Sequence, residues 1–260
     1  MKNMYYLLLI ALPMLACCHT EAQSERKLVW AEEFDYSGTP DPKKWTYEEG
    51  FIRNNEAQFY TRRAENASVA NGYLTITARK ESYQNAAYTS ASLHTQGLYE
   101  FQGGRIEVRA KLPEGRGVWP AIWTLGANRS KVGWPVCGEI DIMEFVGYEP
   151  GKVYANVHTG DYNHTKGTGR GGSIDVSQPF ADFHVYAVEW RDDRMDFFFD
   201  NQKYFSCIRK GEGVGEWPFN APQYLIINLA IGGAWGGQKG IDDAIFPVEY
   251  KIDYVRIYQL

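Results

Sequence analysis

The chain has 260 residues, enough for one large domain or two small ones, and all-β sandwiches often reach this length as a single unit. Its 27 Lys and Arg against 32 Asp and Glu give a net charge of −5, which leaves no basic footprint and excludes nucleic acid as an expected partner. Aromatic residues make up 15%, with 8 Trp and 18 Tyr; this exceeds what one core usually needs and points to a ligand that accepts flat rings.

The N-terminal stretch MKNMYYLLLIALPMLACCHTEAQ has one early Lys, an apolar run from Tyr5 to Ala16, and then small residues. Such a run is too short to span a bilayer and has the size of a signal-peptide core. Residues 1–22 are expected to be an export leader and residues 25–260 a single domain. LACC at 15–18 looks like a bacterial lipobox, in which Cys17, following Ala16, is lipidated. That reading predicts a cell-surface or outer-membrane lipoprotein that meets the membrane only through its lipid. Cleavage after Ala22 is the alternative and gives a soluble secreted or periplasmic protein. Two cysteines remain in the mature chain, Cys137 and Cys207; their pairing is open, and no Cys/His spacing suggests zinc.

From residue 25 onward, side-chain character alternates with a period of two and helical periodicity is scarce. RIEVRAKL (105–112) alternates charged and apolar residues, and HVYAVEW (184–190) sets His184, Tyr186, Val188 and Trp190 on one face. RDDR turns into MDFFFD, DNQ turns into KYFSC, and KIDYVRIYQL closes the chain as a further strand. Many short strands with frequent turns and no linker predict an all-β sandwich or jelly roll of antiparallel sheets. The concave face of a curved sandwich would accept a polymer.

GEIDIMEF (138–145) puts Glu139, Asp141 and Glu144 into a strongly apolar run, although unpaired carboxylates are expensive to bury. In a regular strand 139, 141 and 143 share a face, and Glu144 would point into the core. A β-bulge with Met143 as the extra residue returns Glu144 to the acidic face. The two Glu Cα atoms would then lie roughly 13 Å apart, close enough for inward-leaning side chains to approach to about 5–6 Å, the spacing of retaining glycosidases. Asp141 between them raises the cost of ionising its neighbours and favours a protonated general acid. A calcium site is the weaker alternative, because calcium loops use Asp, Asn and Gly rather than bulky aliphatic residues.

Tryptophans surround this strand in the sequence. Trp119 and Trp123 precede it in EGRGVWPAIWTLG, Trp134 sits just before the acids, and Trp235 lies in LAIGGAWGG. Indole rings stack on the apolar faces of sugars and keep an N–H for a polar partner. Trp30, Trp45 and Trp190, in alternating apolar contexts, are expected in the core.

GEIDIMEF resembles the E-x-D-x-x-E signature of glycoside hydrolase family 16, in the form with the additional Met found in the laminarinase-like and endo-β-1,3(4)-glucanase branches. LVWAEEFD, RNNEAQFYT (53–61), GRIEVRAKLPEGRGVWPAIWTLG, INLAIGGAWGG and KIDYVRIYQ resemble the family in its usual order. The resemblance implies a concanavalin-like β-jelly roll with an open cleft and retaining hydrolysis within a polysaccharide chain, with no cofactor for catalysis. Carried over by position, Glu139 is the nucleophile, Glu144 the acid/base, and Asp141 a hydrogen-bond partner of Glu139. Trp119, Trp123, Trp134 and Trp235 would line sugar subsites, with His158 in the cleft and Asn55 on a sugar hydroxyl. Many members carry a calcium ion away from the cleft, and Glu33 and Asp253, with a backbone carbonyl near Gly72, match its expected ligands. Its role would be stability.

The chain departs from the family at TSASLHTQG (89–97), where a cleft-facing Arg is replaced by the region of Leu93 and His94. HTGDYNHTKGTGRGGS (158–173) is expected to form a mobile lip over the cleft. The expected substrate is a β-1,3- or mixed β-1,3/1,4-glucan, acted on by a monomer. Two alternatives stand: a hydrolase of another β-linked polymer such as a marine galactan, for which Arg53, Arg62 and Arg63 are the candidate sulfate-binding cations, and a non-catalytic surface glycan-binding protein.

Overall fold

The structure, a computed structural model, describes residues 26–260, so the leader and Cys17 lie outside the described residues. Two twisted sheets face each other. The first runs in the order 202–208, 194–199, 184–190, 104–111, 248–258, 73–83, 86–90 and 58–60; strand Leu28–Glu32 pairs with 248–258 and strand Ala67–Ala70 with 73–83. The second runs 170–175, 152–158, 139–144, 118–126, 223–231, 92–94 and 46–48. Every named pairing is antiparallel except 58–60 with 86–90, which is parallel. This is the all-β sandwich that the alternation predicts. Among the described residues, no helix is long and apolar enough to cross a membrane.

The alternation of VWPAIWTLG explains how the second sheet serves two surfaces. Val118 and Ile122 enter the main core between the sheets, while Ala121, Trp123 and Leu125 join a separate apolar cluster with Cys137, Tyr224 and Ile226. Side chains two apart share a face, so one strand fills the core and paves the opposite surface together. In HVYAVEW the pattern is less simple. Tyr186, Val188 and Trp190 are buried as expected, but Ala187 and Glu189 are buried as well. Glu189 is covered because Arg26, Arg105 and Arg191 all pair with its carboxylate. A buried carboxylate is tolerable when cations and hydrogen bonds surround it. Trp45 and Trp190 are core residues, and Trp30 packs against the core from a partly buried position. Cys137 and Cys207 are both buried and free.

The acidic strand carries the expected bulge. Across strand 118–126, Asp141 pairs with Trp123, Met143 with Ile122 and Glu144 with Ala121, which leaves Ile142 without a partner. Across strand 152–158, Asp141 pairs with Asn156 and Glu144 with Tyr154, so Ile142 and Met143 together oppose Ala155. The extra residue towards 118–126 is therefore Ile142 rather than Met143, because Met143 keeps its core-facing pairing with Ile122. Both side chains are fully buried in the main core. Just beyond the strand, the chain passes so close to residues 115–118 that a Cβ on Gly147 would lie 1.7 Å from the Gly115 carbonyl oxygen.

Met143→Ala should lower unfolding stability by about 2–5 kcal/mol in chemical denaturation, the usual cost of truncating a buried long side chain. A loss below about 1 kcal/mol would show that packing under the bulge does not hold it in place.

Candidate active site

The bulge gathers Glu139, Asp141 and Glu144 at the floor of a cleft of about 590 Å³, together with Trp119, Trp123 and Trp134. The indole N–H of Trp134 donates to Glu139 Oε2 at 2.9 Å. Glu144 is held at both oxygens: Trp119 Nε1 donates to Oε1 at 3.2 Å and Asn156 Nδ2 donates to Oε2 at 2.8 Å. His158, paired with Glu139 across the sheet, brings Nε2 to 3.3 Å from Asp141 Oδ2 and 3.7 Å from Glu139 Oε1. Asp141 Oδ2 and His158 Nδ1 are buried without hydrogen-bond partners.

Burial and mutual repulsion govern the charge of this cluster. Burial raises Glu139 to about 8; the charges of Asp141 and Glu144 add to the rise, while His158 and the Trp134 N–H oppose it. Asp141 is raised well above the usual carboxylate range by burial first and by the charge of Glu144 second. Glu144 is raised by burial, against the Asn156 and Trp119 donors and His158. Three neighbouring carboxyls of this kind titrate as a unit and retain protons near neutrality. Asp141 is the deepest of these, with a side chain 5% exposed against 15% for Glu139, and burial is the first cause of its rise. Once Asp141 is neutral, its repulsion of Glu139 vanishes. Glu139, Asp141 and His158 also bring one ligand atom each within 4.8 Å. A cation among them would need ionised carboxylates where burial favours the protonated form.

Other predicted positions fall as follows. Trp123 is almost fully buried: its N–H donates to Asn228 Oδ1 at 2.7 Å, and the Arg53 guanidinium lies 4.9 Å from its ring centroid. Asn228 is held in turn by Tyr60, and Tyr60 by Glu56. Trp235 lines the cleft at right angles to Trp119 and Tyr154, with ring centroids 5.6 and 5.0 Å away. Asn55 is not on the cleft. It is exposed, and both Asn54 and Asn55 have positive φ, so the turn spends them on backbone shape; it is Asn54 that reaches the cleft, donating to Glu56 at 3.3 Å. Leu93 is buried in the main core and His94 leans on Tyr224, so neither stands in for the missing cleft arginine. Arg53 and Arg129 line the cleft instead.

The segment 158–173 is a pinned lip rather than a mobile one. Asn163 is fully buried and its amide bonds the Thr159 carbonyl, while its Oδ1 accepts from Thr165 and Lys166. Arg170 stacks on Tyr162 and pairs with Glu216. The lip sets His164 against Trp134 at 5.3 Å. Glu33 and Asp253 do not fit a cation as placed: both Glu33 oxygens accept from Arg256 at 2.8 Å, and Asp253 pairs with Arg109. Calcium requires six to eight oxygens, and these carboxylates already hold guanidinium groups.

Sequence reading missed Asn156, His164, Glu56 and Asn228. For Asn156 a signal was present, since Tyr154, Asn156 and His158 alternate in KVYANVH and share a face once His158 is placed. Asn228 carried none, because its partners Trp123 and Tyr60 are distant in the chain; Glu56 bonds its near neighbours Asn54, Gln58 and Tyr60, and only the fold brings that group to the cleft.

A concave antiparallel sheet with clustered buried carboxyls and flanking indoles defines a polysaccharide-cleaving glycosidase. The sequence profile described as glycosyl hydrolases family 16 matches residues 54–256. The chain is 48% identical over 262 residues to a β-glucanase of Rhodothermus marinus, covering 96% of this chain and 91% of that one. The X-ray structure of the laminarinase from Rhodothermus marinus superposes with a TM-score of 0.88 at 48% identity, covering 90% of this chain and 97% of that one. A non-specific endo-β-1,3(4)-glucanase co-crystallised with 1,3-β-D-cellotriosyl-glucose superposes with a TM-score of 0.87 at 45% identity, covering 91% and 96%. The chain belongs to glycoside hydrolase family 16, whose chemistry needs no catalytic cofactor.

Glu139 moves from an ordinary 4.5 to about 8 on folding, so between those values the folded state binds more protons than the unfolded one. Stability therefore falls as pH rises through that window. Glu139→Gln, which carries no such penalty, should melt a few degrees above wild type at pH 8, with the gain gone at pH 4. Equal melting temperatures at both pH values would show that Glu139 is not held in its neutral form.

Proposed function

We propose that the protein is a retaining endo-glycosidase that cuts β-1,3- or mixed β-1,3/1,4-glucans, with Glu139 as nucleophile and Glu144 as acid/base. The observation that carries this reading is the bulged strand, which presents two glutamates on one face with Asp141 between them. In the first step, a Glu139 oxygen bonds to the anomeric carbon as the glycosidic C–O bond breaks, and Glu144 gives its proton to the departing oxygen. In the second, Glu144 takes a proton from water, whose oxygen displaces Glu139 and releases the sugar with retained configuration. Asp141 stays protonated and lets Glu139 ionise beside it. Trp119, Trp134 and Trp235 offer surfaces for the sugar faces, and Trp123 supports the floor.

The pairing of the three candidate arginines favours a neutral polymer over a sulfated galactan. The arginines proposed for sulfate esters are taken: Arg53 pairs with Glu48, Arg62 with Glu49 and Arg63 with Glu81. A purely binding protein would have no need of the full acid set or of the separate donors that hold each glutamate.

Reducing-sugar release should be strong from laminarin or a mixed-linkage β-glucan and absent from agarose, and Glu139→Gln should reduce it about a thousandfold or more. The first product should be the β-anomer by NMR. Release from agarose alone would move the substrate class, and binding without release would make this a glycan-binding protein. A structural calcium would have to displace Arg256 and Arg109 from Glu33 and Asp253. Added calcium or a chelator should therefore leave the melting temperature unchanged; a rise of several degrees with calcium would show that the arginines give way.

A further inference from the structure

We infer that Asn156 is a positioning residue that decides which oxygen of Glu144 carries the transferred proton, and that Gly171 is a glycine because Asn156 occupies the space of its side chain. The inference rests on the acid/base role of Glu144. A protonated carboxyl donates from one oxygen and accepts at the other. Asn156 Nδ2, at 2.8 Å, can only donate, so it holds Oε2 as the accepting oxygen. The cleft-lining Trp119 N–H also only donates, but at the longer distance of 3.2 Å to Oε1; the shorter bond marks Oε2 as the stronger acceptor, so the proton falls to Oε1, whose remaining lone pair still takes the weaker indole contact. Oε1 thus stands beside the indoles that would carry the sugar.

The amide is fixed by its neighbours in the sheet. Asn156 pairs with Asp141 on one side and with Gly171 on the other. A Cβ on Gly171 would lie 2.1 Å from Asn156 Oδ1, so any side chain there would push the amide off Glu144. Strand alternation would otherwise place a side chain at residue 171 on the same face. The groups that bear on the charge of Glu144 are Asp141 and Glu139 from its own strand, His158 from the next, and Tyr204 from strand 202–208; Glu56 lines the same cleft. Only Asn156 and Trp119 donate to Glu144 directly among the described residues.

The test compares kcat/KM against pH for wild type, Asn156→Ala and Gly171→Ala on laminarin and on a glucan oligosaccharide bearing a dinitrophenyl leaving group, which departs without a proton. Losing the donor disfavours the ionised acid, so the basic limb on laminarin should move up by about one pH unit in Asn156→Ala. The rate on laminarin should fall about ten- to a hundredfold, mostly in kcat, while the dinitrophenyl substrate loses less than about threefold. Gly171→Ala should behave likewise and add less than about twofold in the double variant, because both changes remove one interaction. Glu144→Gln serves as the reference. If it keeps full activity on laminarin, the acid/base assignment fails and the inference with it. If it behaves as an acid/base variant while Asn156→Ala shifts no limb, or loses both substrates equally, Asn156 only supports the fold and the inference is overturned.

Discussion

A strand with a side-chain period of two cannot place residues 139, 141 and 144 on one face, and the rest of the site depends on how this conflict is resolved. One extra residue, Ile142 on one side and the pair Ile142–Met143 on the other, changes the parity between Asp141 and Glu144. The strand can then bury Ile140, Ile142 and Met143 in the core while offering three carboxyls to the cleft. The bulge is held from below by packing, because both residues that create it are fully buried. Apolar burial, which stabilises the sandwich, is also what sets the catalytic geometry.

Confining three carboxyls this way has an electrostatic cost, and the surrounding strands distribute it unevenly. Each glutamate receives its own donors: Trp134 for Glu139, and Trp119 and Asn156 for Glu144. Asp141 Oδ2 is buried without a hydrogen-bond donor, with His158 Nε2 at 3.3 Å. The least compensated carboxyl is pushed well above its usual range, and in the proposed mechanism it is the central acid that stays neutral while the outer two take opposite tasks. The indoles serve twice, presenting a ring to the cleft and an N–H to the acids, which ties the orientation of the sugar platforms to the charged groups.

The first sheet manages its charges differently. Glu189 is buried, but three arginines neutralise it, and Glu33 and Asp253 are each matched to one arginine. Paired acids of this kind are structural. The contrast is between Glu189, buried among cations, and the acids of the bulged strand, which are given indole and amide donors, the His158 imidazole and one another.

The sequence by itself determined whatever repeats with a short period. Alternation specified the strands and the all-β class, and GEIDIMEF required a bulge because its apolar and acidic residues could not otherwise be separated. The same alternation contained Asn156 beside His158, although one residue type among many polar ones did not stand out. Tertiary structure alone decided which residue is unpaired at the bulge, since that depends on whether Met143 or Ile142 faces Ile122 across the sheet. It also decided that Asn54 rather than Asn55 meets the cleft, where Asn54 bonds Glu56. The arginines on Glu33 and Asp253 and the chain from Trp123 through Asn228 and Tyr60 to Glu56 were likewise beyond the sequence. Apart from the local Tyr60–Glu56 bond, these pairings join residues more than a hundred positions apart. Local pattern carries no record of which distant strands become neighbours, and hydrogen bonds and ion pairs act only at contact.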